Sequence, residues 1–88
     1  MKNDIYQIIN YIKNNNQVPT CSEMQMTQEK LNRIIKKCND EDLLDKKYIF
    51  VNILGEINCD DDPELAITMK GLKYLEENNP LGKVEWFI

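Results

Sequence analysis

Eighty-eight residues, 42% apolar and 30% charged, fit one small globular domain rather than a disordered chain or a multidomain protein. No apolar run reaches the roughly 18 residues of a membrane span, so no membrane association is expected. Three cysteines and no histidine exclude a Cys/His zinc site. The net charge of −4 departs from the basic balance usual in nucleic-acid-binding domains.

The opening Met1-Lys2-Asn3-Asp4 lacks the apolar centre of a signal peptide, so a cytoplasmic location is expected. Cys21, Cys38 and Cys59 lack metal-ligand spacing and read as reduced thiols that pack or lie at the surface. No metal and no cofactor is expected.

Ile5, Ile8, Ile9 and Ile12 fall at i, i+3, i+4 and i+7, which predicts a helix over 3–14, started by Asn3 or Asp4. Asn14-Asn15-Asn16 ends it, and Val18-Pro19 continues as an extended connection. Thr20-Cys21-Ser22-Glu23 has the pattern of a capped helix start, here a short one over 21–25, with Met24 and Met26 filling the core. Thr27 caps a further helix over 28–39, in which Leu31, Ile34, Ile35 and Cys38 repeat the apolar stripe.

Residues 39–42 are acidic and turn-like. Tyr48 to Leu54 is the strongest strand candidate by β-branched and aromatic content. Gly55 opens a polar loop over 56–63, which leads to a second strand over 64–68, with Leu65 and Ile67 on its buried side. Thr68 caps the helix that follows, which buries Leu72 and Leu75 and packs on the first helix. Gly71 stands inside that helix. Glycine there costs about 1 kcal/mol against alanine, which implies that another helix passes close to the backbone. Over 80–88, Asn79-Pro80 reads as a helix start, with Leu81, Val84 and Ile88 on one face; a strand with Val84, Trp86 and Ile88 alternating is the other reading.

Two adjacent helices followed by a β-hairpin give the expected class: α+β, a winged helix-turn-helix with a two-stranded wing and a C-terminal helix. The domain covers 1–79. Residues 80–88 form an extension that packs on the core or at a dimer interface, with Trp86, Phe87 and Ile88 as the interface candidates.

The stretch Ile67-Thr68-Met69-Lys70-Gly71-Leu72-Lys73-Tyr74-Leu75-Glu76-Glu77-Asn78 resembles the ending of the YjcQ-like family, small winged-helix proteins of Gram-positive bacteria and their phages. Thr27 to Lys37 resembles the recognition-type helix before the wing. The resemblance covers most of 1–79 and implies the winged-helix fold. The glycine that often follows the recognition helix is absent, and residues 39–42 stand in its place.

No enzyme is expected. There is no histidine, no Gly-rich phosphate loop and no nucleophile-elbow pattern. Asp60, Asp61, Asp62 and Glu64 lack the spacing and central glycine of a calcium loop and read as solvated. The helix at 28–39 carries Lys30, Arg33, Lys36 and Lys37 against Glu29. Gln28 and Asn32 beside them bear the donor and acceptor groups that read base edges. These six residues are the candidate contacts to double-stranded DNA, and the function expected is that of a DNA-binding protein, a small transcriptional regulator. Against it, residues 40–62 hold eight acids and two lysines, which would make the wing acidic. The alternative is an acidic interaction module or inhibitor that binds a protein with a basic surface, or a homodimer, without nucleic acid.

Overall fold

The computed structural model describes residues 2–79. The expected extension over 80–88, with Trp86, Phe87 and Ile88, lies outside the described residues. The chain forms α1 (Lys2–Asn15), α2 (Cys21–Met24), α3 (Gln28–Asp40), β1 (Ile49–Val51), β2 (Ile57–Cys59), a 3₁₀ turn (Pro63–Ala66) and α4 (Met69–Asn78). This is a small α+β protein of four helices and a two-stranded antiparallel hairpin, an order compatible with a winged helix.

Local chemistry sets each helix boundary. Asn3 and Asp4 lie inside the first turn of α1 rather than before it. Asn16 takes the left-handed conformation at φ 51° and donates its N–H to the Ile12 carbonyl, closing α1. Thr20 and Glu23 form a reciprocal capping box on α2. Thr27 accepts from the Lys30 N–H at the start of α3, and Thr68 from the Gly71 N–H at the start of α4. The end of α3 is a Schellman motif. Leu43 N–H reaches the Cys38 carbonyl at 2.8 Å and Asp42 N–H the Asn39 carbonyl at 3.1 Å. Asp42 holds the left-handed position at φ 61°, a conformation that aspartate tolerates.

The core is continuous. Ile5, Ile8, Ile9 and Ile12 of α1 meet Leu31, Ile34, Ile35 and Cys38 of α3, and Leu43, Leu44, Ile49, Ala66 and Leu75 close it. Met24 and Met26 pack on its edge. Helix α4 lies on α1. The only acid–base pair between α1 and α3 among the described residues is Lys30 with Asp4, at 3.5 Å.

The expected strands are displaced. The run at 48–54 yields three paired residues, and its partner is 57–59, inside the segment expected as loop. Ile49 faces Cys59, Phe50 faces Asn58 and Val51 faces Ile57. The segment expected as a second strand, 64–68, begins as a 3₁₀ turn. Pro63 cannot donate to a ladder and suits a first helical position. Leu65 is therefore 60% exposed while Ala66 is fully buried. Strand pairing survives only as the Leu44–Ile67 bridge, flanked by Asp45 N–H to the Ala66 carbonyl at 2.7 Å. Leu72, expected in the core, is exposed, and Gly71 and Leu75 form the buried side of α4.

Gly71 meets the backbone of Leu43, not another helix. A Cβ there would collide with the Leu43 carbonyl oxygen and lie 3.1 Å from Ile67 Cγ2. That carbonyl is held in place, since it accepts from the Thr68 N–H and hydroxyl, both at 3.2 Å. Gly71→Leu is expected to destabilise by about 2–3 kcal/mol through overpacking against fixed backbone. For a domain of this size that lowers Tm by roughly 10–20 °C. An unchanged melting curve would refute the placement.

Helix α2 is tethered to α1 by one polar contact. The Tyr11 hydroxyl donates to Glu23 Oε2, and Glu23 Oε1 accepts from the Thr20 N–H at 2.9 Å. These bonds, Tyr11 first, hold the Glu23 carboxyl below its ordinary 4.5. A depressed carboxylate adds stability above its unfolded value and loses it as pH falls through the folded one. Tyr11→Phe is expected to bring the Glu23 titration midpoint up toward 4.5 and to flatten the acid limb of the stability profile. An NMR titration of Glu23 in both proteins checks this.

Candidate nucleic-acid interface

The core-facing stripe of α3 is Leu31, Ile34, Ile35 and Cys38. At 100° per residue, the line facing most directly away from it is Glu29, Arg33, Lys36 and Asp40. All four are exposed. Arg33 pairs with Glu29 at 3.8 Å, an exposed i,i+4 contact worth well under 1 kcal/mol. Lys30 and Lys37 flank this line on the α1 side, and Lys30 is drawn to Asp4. Among the described residues no ion pair engages Lys36, Lys37, Lys46 or Lys47.

The opposite flank of α3 carries the hairpin. Asn32 and Asn39 sit seven residues apart, two helical turns, on one edge. Asn39 Nδ2 donates to the Leu44 carbonyl at 2.9 Å and to the Ile49 carbonyl at 3.0 Å, which holds the base of the hairpin. Asn32 Nδ2 donates to the Gly55 carbonyl at 2.6 Å, which holds its far end. The hairpin therefore runs back along α3. Asn32 Oδ1 also accepts from Gln28 Nε2 at 2.9 Å. The amides expected to read bases are thus engaged with each other and with the hairpin.

The hairpin turn is rigid for its size. Asn52 N–H reaches the Glu56 carbonyl at 2.8 Å, and Gly55 N–H the Asn52 carbonyl at 3.0 Å. Asn52 Oδ1 accepts from the Leu54 and Glu56 N–H groups, both at 2.9 Å, and Asn52 Nδ2 donates to Asn58 Oδ1 at 2.7 Å. Gly55 at φ 79° supplies the left-handed residue that ends a three-residue hairpin loop. The tip is apolar, with Ile53 fully and Leu54 79% exposed. The acids expected on this loop lie elsewhere. Asp60, Asp61 and Asp62 follow β2, where Asp60 N–H meets the Tyr48 carbonyl at the hairpin base.

Between the C-terminal half of α3 and β1 lies an open groove of about 560 Å³. Lys36, Lys46, Lys47 and Phe50 line it, with Asp40 and Asp45 as the opposing charges. Asp45 fixes the approach to β1, since its carboxylate accepts from the Lys47 N–H at 2.9 Å and its carbonyl from the Tyr48 and Ile49 N–H groups. The two lysines before β1 therefore project from an ordered turn beside α3. In the sequence they are only the two lysines of the acidic stretch 40–62. Three lysines and two aspartates thus share one concavity beside the Phe50 ring.

Two of the three thiols, Cys38 and Cys59, are held toward the protonated form. Burial, with the Glu41 charge adding, pushes Cys38 up to about 12. Cys59, raised by partial burial and then by Asp60 and Asp61, moves the same way. Among the described residues no group of Cys, Asp or Glu converges to hold a metal, and no helix is long and apolar enough to cross a membrane. No known protein family, curated protein or solved structure matches the chain.

The asparagine pair separates two kinds of loss. Asn39→Ala leaves two backbone carbonyls without their donor and is expected to cost about 1–3 kcal/mol of global stability. Asn32→Ala is expected to leave the core intact and to speed amide exchange at Asn52 and Gly55, whose hydrogen bonds close the loop. Hydrogen exchange by NMR on both variants checks this, and unchanged exchange at the loop in Asn32→Ala would show that the clamp carries no strain-bearing role.

Proposed function

We propose that this chain is a winged-helix protein of the YjcQ-like kind that binds double-stranded DNA, with α3 in the major groove and the hairpin as the wing. The observation that carries the reading is the hairpin clamped along α3 by Asn32 and Asn39, which presents one helix and one ribbon as a single rigid unit. The outer line of α3 supplies Arg33 and Lys36, and Lys37, Lys46 and Lys47 flank it as phosphate contacts. Gln28 and Asn32 orient the wing, and Lys30 ties α3 to α1. Specific base contact then falls to Arg33, whose guanidinium can leave its weak exposed pair with Glu29 for guanine O6 and N7.

The acids of the α3 end, Asp40, Glu41 and Asp42, oppose phosphate and keep the affinity modest. Four lysines meeting phosphate, Lys36, Lys37, Lys46 and Lys47, would give a log–log salt slope of about −3.6. The second reading, a protein partner with a basic surface, is favoured by the exposed run Asp60, Asp61, Asp62 and Glu64.

Fluorescence anisotropy with labelled duplexes tests the first reading. Micromolar binding at low salt, falling steeply as salt rises, is expected for the wild type. Arg33→Glu with Lys36→Glu should abolish it without lowering Tm, since both side chains are exposed. Absence of wild-type binding at low salt would overturn the DNA reading.

A further inference from the structure

The hairpin has one open edge. Asp60 N–H to the Tyr48 carbonyl and Asn52 N–H to the Glu56 carbonyl frame its ladder, and Phe50 stands opposite Asn58 between them. Residues 56, 58 and 60 therefore turn their backbone groups toward β1, and Ile57 and Cys59 turn theirs outward. Among the described residues nothing pairs with that outer edge. The sheet has two strands, and no loop forms a backbone hydrogen bond with Ile57 or Cys59. Such a row of N–H and C=O groups is a template for a further strand.

Ile57 and Cys59 also line an open groove of about 480 Å³, together with buried Leu31 and Pro19 and half-buried Val18. The chain's own wall of this groove is a poor third strand. Pro19 has no N–H to give, and the Thr20 N–H is taken by Glu23 Oε1 at 2.9 Å. The two faces of the edge differ in chemistry. Ile57 shares its face with Ile49 and Val51, against the core. Glu56 and Asp60 alternate to the opposite face, where both are exposed, roughly 13 Å apart along the strand. Asp61 and Asp62 follow, and among the described residues no basic side chain lines the groove. An added strand thus meets apolar surface on one face and carboxylates on the other.

That pattern selects the occupant. A polyanion is repelled by the carboxylates. In a second copy, antiparallel pairing of Ile57 with Cys59 would set Glu56 opposite the other copy's Asp60, and like charges directly opposite destabilise a ladder.

We propose that the β2 edge takes up an extended segment of a protein partner in which apolar and basic residues alternate, added antiparallel as a third strand. Backbone bonds to Ile57 and Cys59 supply the affinity, and the side-chain alternation supplies the specificity. The proposal rests on the second reading above, a partner with a basic surface, and it uses a surface apart from Lys36, Lys46 and Lys47.

The test uses the full chain and a capped Lys-Val-Lys-Val-Lys peptide, which sets valines opposite Ile57 and Cys59 and lysines opposite Glu56 and Asp60. Calorimetry and NMR amide exchange are the readouts. In the free protein the Ile57 and Cys59 amides should exchange faster than those of Phe50 and Asn58, and the peptide should slow them. N-methylation of the two valines should abolish binding, and N-methylation of the lysines, whose N–H groups face away, should leave it. Glu56→Gln with Asp60→Asn should weaken binding about fivefold with Tm unchanged, as for two exposed ion pairs. Equal effects of the two methylations overturn the strand addition. So do Ile57 and Cys59 amides already protected in the free chain, which would mean that residues 80–88 or a second copy cover the edge. A scrambled Val-Lys-Lys-Lys-Val peptide that binds equally well overturns the strand addition while the basic-partner reading stands. Binding by neither peptide overturns both.

Discussion

The placement of the hairpin depends on two asparagine side chains. A pair of three-residue strands is marginal on its own, since two-stranded ribbons need a packed face to persist. Ile49 supplies a fully buried anchor, and Val51 and Ile57 are half-buried. The remaining order comes from Asn39 and Asn32, which donate to carbonyls at the two ends of the ribbon. These are side chain–backbone bonds between elements 10 and 23 residues apart. Both asparagines are partly buried, so loss of either leaves a carbonyl in a poorly hydrated place, a larger penalty than the net worth of the bond.

The same economy governs the junction on the other side of the core. Leu43 and Leu44 leave α3 through the Schellman turn at Asp42 and at once meet Ile67, Thr68 and Gly71. Thr68 serves both sides of that junction. Its hydroxyl donates to the Asp42 carbonyl at 2.6 Å and accepts from the Gly71 N–H at 2.9 Å. One residue thus caps α4 and fastens the end of α3 to it. Gly71 has no side chain because this fastening brings the Leu43 backbone into the space a Cβ would need. Glycine at position 71 therefore has a packing reason in this chain, independent of any ligand.

What was legible in the residues follows from the range of the interactions. The helices were read almost to the residue because their signals are local: Thr20, Thr27 and Thr68 cap within three residues, and the isoleucine and leucine stripes repeat within two turns. The strands were misplaced because Ile57-Asn58-Cys59, set among acids, has too little apolar content to register as a strand. Ile53 and Leu54 carry the β-forming character of a strand interior yet sit on a turn. The cue was Asn52 followed by Gly55, the turn chemistry of a three-residue loop. For the candidate interface, the basic residues of α3 were visible and the roles of Asn32 and Asn39 were not, because no local pattern signals a bond across the fold. Misplacing the hairpin also misplaced its charge, putting at the tip the acids that belong to the base.

That relocation changes the electrostatic argument. A net charge of −4 read as uniform would disfavour any polyanion. The structure spreads it unevenly instead, with Asp60, Asp61 and Asp62 after β2 at the hairpin base, Glu56 beside the turn, and Lys36, Lys46 and Lys47 facing Asp40 and Asp45 in the groove beside α3. Asp60 bonds to Tyr48, the residue after Lys47, so the acids of the hairpin base and the lysines of the groove are neighbours and partly offset one another. Net charge alone therefore does not decide which sign of partner this surface favours, because lysines and aspartates face one another across the same groove.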